Sequence, residues 1–266
     1  KLEMDINKIP KKAFAISPIL KKFDFIQDFI DSTSDEKPFL PLFLTETISD
    51  YYYQKKPKKM KEFIKGSRIS GYKNQSVSQM LGSMYQNIDI YSNNIPIFNL
   101  DFISPIANDA PFFYKYQLID TQSFNGKTCY QVAFTPKRSG EHTFNGDMWI
   151  HDTDYAVQKV NMIITKDQNI NWVNKVTMMQ EFTCFEDTLW FLTKDKFYVD
   201  FLPPHGDKVA GFLGRKTTTY KNIVVNDRGI EEIIDEKKNK AELILGKDAL
   251  NRNEDYGNQV RHDSLA

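Results

Sequence analysis

The chain has 266 residues, 41% of them hydrophobic, enough to bury a real core in one large β domain or two small ones. Lysine plus arginine equal aspartate plus glutamate at 35 each, so no net field draws the chain to a polyanion, and nucleic acid is excluded as an expected partner. Aromatic residues reach 14%, with 20 Phe and 13 Tyr, which favours pleated sheet over a helix bundle.

The chain opens at Lys1 with neither methionine nor signal peptide, and this reads as a domain excised from a longer protein. Ile16, Ile19, Leu20, Phe23, Ile26, Phe29 and Ile30 recur at helical spacing and predict an amphipathic helix, with Ser17-Pro18 as cap and first-turn proline. The polar run from Asp31 to Pro38 reads as a loop, so residues 1–36 form a helical lead-in. A β domain is expected over residues 37–226. It begins with runs rich in β-branched and aromatic residues at 43–54 and 62–70, a hairpin with the basic tip Lys55-Lys56-Pro57-Lys58-Lys59. Met80, Leu81 and Met84 predict a short helix over 77–84, and residues 93–111, with three prolines and little periodicity, read as an irregular loop.

From residue 112 to 225 the pattern is most regular. β-rich runs at 113–124, 128–135, 143–150, 155–165, 173–185 and 188–201 are separated by short polar turns, among them Asn125-Gly126, Asp152-Thr153-Asp154 and Glu186-Asp187. Turns this short join antiparallel neighbours, since parallel strands need a long crossover. Tyr130, Val132 and Phe134 alternate with Gln131 and Thr135, and Phe144, Met148 and Ile150 with Asn145 and Asp147, so one face is apolar and must be covered. The expected fold is mainly β (α+β), a curved antiparallel sheet or half-barrel with short helices over its apolar face. Residues 227–266 turn polar and charged and read as a tail or linker.

Chemistry is sparse. Cys129 and Cys184 are too few for a disulfide scaffold and match no zinc or redox motif; each sits in an expected strand, where a small buried hydrophobe is the ordinary role, although a single disulfide between them stays open. There is no Gly-x-Ser-x-Gly elbow and no His-Glu-x-x-His, the four histidines are scattered, and Asp152 and Asp154 have a turn role. No catalytic residue, metal or cofactor is therefore expected. No apolar run approaches the ~18–20 residues of a membrane-spanning helix. Two groupings invite a binding role. Trp149, Trp172 and Trp190, with Phe144 and Met148, would line an apolar cavity, or else fill an ordinary core. Lys55, Lys56, Lys58, Lys59 and Lys61 would meet anionic headgroups, or else form a solvated tip.

Four runs in order carry a family resemblance: Thr47-Ile48-Ser49-Asp50-Tyr51-Tyr52-Tyr53, Leu81-Gly82-Ser83-Met84-Tyr85, Phe144-Asn145-Gly146-Asp147-Met148-Trp149-Ile150 and Asn169-Ile170-Asn171-Trp172-Val173-Asn174. They resemble the domain-of-unknown-function 5686 family of Bacteroidetes-type bacteria, in which a carboxypeptidase-regulatory-like β-sandwich precedes this region and an outer-membrane β-barrel follows it. The resemblance implies a periplasmic, envelope location with neighbouring domains of the same protein as partners, and no known activity. More weakly, residues 144–164 resemble LolA and LolB type lipoprotein carriers, a half-barrel around a greasy cavity. The expectation is thus a non-catalytic periplasmic domain holding a lipid, lipoprotein or other apolar ligand in the concave face of its sheet. The alternative is a structural or docking module without a cavity, for a neighbouring barrel or periplasmic partner, and an enzyme ranks last.

Overall fold

The alternation of apolar and polar residues becomes strand after strand in the computed structural model, which describes residues 2–5, 39–57, 59–71, 82–124, 127–186, 189–201, 212–227 and 229–235. In chain order these hold strands β1 (Leu2–Asp5), β2 (Phe39–Gln54), β3 (Lys59–Gly71), β4 (Asn94–Ile97) and β5 (Leu100–Ile103). A single-turn helix α1 (Ala110–Phe113) then leads into β6 (Tyr114–Phe124), β7 (Lys127–Pro136), β8 (Asn145–His151) and β9 (Val157–Thr165). Strands β10 (Val173–Phe185), β11 (Leu189–Phe201) and β12 (Phe212–Thr219) and helix α2 (Gly229–Asp235) complete the set. The helix expected over 16–30 lies outside the described residues. So does most of the one over 77–84, of which only the helical end at Gly82 and Ser83 is described.

The chain divides by contact into two units, one of Lys1–Leu42 with Lys73–Lys221 and one of Phe43–Tyr72 with Asn222–Ala266. The first unit is an open antiparallel sheet in the order β1-β12-β11-β10-β9-β8-β7-β6, a meander from β6 to β12 as short turns require. Among the described residues β6 ends that order. Bulges interrupt the register at Leu118/Asp120, Trp149/Ile150 and Glu181/Phe182, each inserting a residue that re-aims the strand beyond it.

One face is packed tight: Phe134, Met148, Val160, Met162, Ile164, Val176, Met178, Phe197 and Val199 join a single buried cluster with Ile90, Ile95, Ile97 and Phe102 from residues 84–110. The irregular loop expected over 93–111 is instead a hairpin, β4–β5, followed by α1. Its alternation spans only four residues per strand, with Pro96 inside one of them, too short for a period to show in sequence. Together with the helical end at 82–83, these elements cover the sheet. Strand β12 was not separately read from sequence either. The second unit pairs β2, from Phe43 to Gln54, with β3 and adds α2, whose Ile234 is buried.

Candidate functional site

The covered face is held by hydrogen bonds as well as by apolar contact. Tyr114, fully buried at the start of β6, donates its hydroxyl to the Ile103 carbonyl at 2.5 Å and accepts the Phe144 N–H at 3.0 Å, which ties the β4–β5 hairpin to the sheet. Burial pushes this hydroxyl well above the ordinary tyrosine range, so it stays a donor at any physiological pH. Tyr116 repeats the device on the Pro105 carbonyl at 2.8 Å. Inside the cover, Ser104 donates to the Ile90 carbonyl at 2.6 Å. From the sheet the buried Gln180 reaches into this face, its Nε2 donating to the Ile88 carbonyl at 2.9 Å and to Asp195 Oδ1 at 3.1 Å. Burial raises the Asp195 carboxyl, a rise that Gln180 and the charge of Lys216 only partly offset.

Of the five apolar residues singled out in the sequence, Phe144 and Met148 lie in this packed cluster, the Phe144 ring 5.2 Å from that of Phe102. Trp149, between Met148 and Ile150 on β8, points to the opposite face by strand alternation. There its Nε1 donates to Gln122 at 3.1 Å and the Lys159 ammonium sits 4.8 Å above its ring. It ends a polar ladder in which Gln122 donates to Gln131, Gln131 to Asp147, and Asn161 to Asp147, over distances of 2.8–3.2 Å. Trp172 stands in the turn before β10 with a left-handed backbone and is 55% exposed. Trp190 lies at the start of β11. The structure therefore gathers Phe144 and Met148 but distributes the three tryptophans to separate surroundings.

Trp190 belongs to a cluster at the turn from β8 to β9. Asp154 accepts the Trp190 Nε1–H at 2.6 Å, pairs with His151 Nδ1 at 2.6 Å and caps the turn through the Ala156 N–H at 3.2 Å. Burial alone would raise the Asp154 carboxyl, but the Trp190, His151 and Ala156 hydrogen bonds outweigh it and hold it below the usual range. Asp154 thus fills the turn role that its position predicts and two more that no local pattern announces. Cys129, opposite His151 on β7, is fully buried and donates to Gln158 Oε1 at 2.6 Å. Burial, then the charges of Asp152 and Asp154, push its thiol up, the reverse of an activated nucleophile. Both cysteines are free thiols.

The lysines sit at the end of the β2–β3 hairpin. Lys55 and Lys56 are exposed in the turn, and Lys59 and Lys61 are half-buried on β3; Lys58 lies outside the described residues. Lys61 is engaged, its ammonium donating to the Ile233 carbonyl at 2.6 Å and standing 4.8 Å from the Phe63 ring.

These features define a mainly β domain with one open antiparallel sheet, one face packed beneath its own cover and polar ladders on the other. The chain belongs to the family of unknown function DUF5686, whose model matches residues 1–222. No curated protein matches it. Among solved structures it is similar to a domain from Vibrio parahaemolyticus described as an outer-membrane lipoprotein-sorting protein, at 13% identity and a TM-score of 0.26, over 72% of this chain and 69% of that one.

Proposed function

We propose that this is a non-catalytic domain of the cell envelope that acts as a structural and docking module, its apolar face closed by its own chain rather than held open for a ligand. The observation that carries this reading is the fully buried set Ile90, Ile95, Ile97 and Phe102, which occupies the face where a carrier would receive an acyl chain. The face available to others lies along β6, where Leu118 and Ile119 are 62% and 51% exposed and Phe112 and Tyr116 are exposed beside them. A neighbouring domain of the same longer protein is the partner this strip would meet. The setting implied by the family resemblance, between a β-sandwich and an outer-membrane barrel on the periplasmic side, supports that choice. The inert state of Cys129, beside the His151–Asp154 pair, supports a role without catalysis.

Native mass spectrometry of the purified chain before and after solvent extraction tests the reading. A single clean mass, with no uptake of added fatty acid, is the expected result. A reproducible apolar adduct that extraction removes would overturn it in favour of a lipid carrier.

A further inference from the structure

The far end of the β2–β3 hairpin carries a chemistry that the docking role along β6 does not use. Tyr53 lies directly opposite Met60 in the register, and Tyr51 shares their face two residues back. The three are 45%, 48% and 45% exposed, in that order, and the Tyr51 hydroxyl approaches the Met60 sulfur at 3.9 Å. The opposite face is a different case, because Tyr52 and Phe63 pack edge to face there at 5.7 Å. Past the exposed stripe the chain turns through Lys55 and Lys56, both exposed, and from Gln54 to Lys61 it holds no acidic residue. Two carboxylates of the hairpin are engaged within it: Glu62 accepts from Ser49 at 2.5 Å and Asp50 pairs with Lys65 at 2.8 Å.

A basic turn alone is an ordinary solvated tip. The contiguous Tyr-Tyr-Met surface beside it is not, because it leaves ring carbons and a thioether about half exposed to water. Phenol rings with a wet end, and lysines that bury their stems and keep the ammonium outside, are the residues that suit a lipid headgroup layer. The charge of the tip selects an anionic one. We propose that the end of this hairpin docks on an anionic lipid surface, with Tyr51, Tyr53 and Met60 in the headgroup layer and Lys55 and Lys56 on lipid phosphates.

Co-sedimentation of the full chain with vesicles of equimolar phosphatidylcholine and phosphatidylglycerol, against phosphatidylcholine alone, tests this, with circular dichroism checking the fold of each variant. The expected result is binding to the anionic vesicles only. It should weaken about 5-fold for each of Lys55→Ala and Lys56→Ala, and fall further as salt rises. Tyr51→Ser with Tyr53→Ser should weaken it at every salt concentration, while Lys137→Ala with Arg138→Ala should leave it unchanged. The proposal is overturned if wild type ignores anionic vesicles at low salt or if the control pair loses as much as the tip pair. Indifference to the tyrosine substitutions would also overturn it, since that would reduce the contact to diffuse charge attraction.

Discussion

The hydroxyl of Tyr114 stands 2.5 Å from the carbonyl oxygen of Ile103, and this bond joins the terminal strand of the sheet to the hairpin that covers it. The Tyr114 hydroxyl oxygen in turn accepts the Phe144 N–H, so one side chain satisfies a buried acceptor and a buried donor that would otherwise face an apolar core. Tyr114→Phe keeps the ring and strands both partners. We expect a loss of about 1–3 kcal/mol in urea denaturation, and a smaller loss for Tyr116→Phe, whose ring is partly exposed.

Asp195 gives a pH dependence with a definite sign. Its carboxyl is raised in the folded state, so its stabilising form is the protonated one. The contribution is fully present below the ordinary aspartate range and is lost as pH rises through the elevated folded value. Asp195→Asn removes that loss while keeping an acceptor for Gln180. Thermal unfolding followed across pH should show variant and wild type nearly equal in mild acid, and the variant more stable at neutral pH. A variant less stable at neutral pH would mean that the ionised Asp195–Lys216 attraction dominates burial.

Asp154 has the opposite sign. Its carboxyl is lowered, so the stability it contributes is present above the ordinary aspartate range and is lost as pH falls through the depressed value. Because its partner is an indole, the transition should be visible in Trp190 fluorescence on acidification. Asp154→Asn should remove that acid transition and weaken the end of the sheet at neutral pH. Trp190→Phe serves as the spectroscopic control.

Gly146 is required by close approach rather than by a turn. A Cβ there would stand 1.9 Å from the Asn161 carbonyl oxygen and 2.8 Å from the Phe134 ring, and the first of these is backbone that cannot step aside. Gly146→Ala should cost about 3 kcal/mol or prevent folding. Gly82→Ala, with nothing within 4 Å of the new carbon, should leave stability unchanged or raise it slightly.

Met148 and Trp172, both candidates for one cavity in the sequence, should separate cleanly by mutation. Met148→Ala empties a packed site and should cost about 2–5 kcal/mol. Trp172→Ser, at an exposed turn, should change the unfolding midpoint little. Equal, small effects at both positions would point to an unfilled space around Met148.

The strands from β6 to β11 were legible in the sequence because alternation over seven or more residues, punctuated by turn residues such as Asp152 and Asp154, has one simple reading, and short turns leave only an antiparallel order. The apolar face followed, since Phe134, Phe144 and Met148 had to point one way. What lay on that face did not follow. The same alternation lines a filled core and an open pocket, and the hairpin that fills it, with Ile95, Ile97 and Phe102, is too short and too proline-marked to announce itself. The tryptophans show the same limit. Composition places them in a sheet, but strand parity turns Trp149 away from Met148, a left-handed turn exposes Trp172, and the β8–β9 turn captures Trp190 through Asp154. By itself, then, the sequence determined class, the order of β6 to β11 and the existence of one apolar face, because these depend on local period and turn length. Only the tertiary structure decided what covers that face and which polar groups meet across it, because such contacts join residues far apart in the chain through packing that no local pattern encodes.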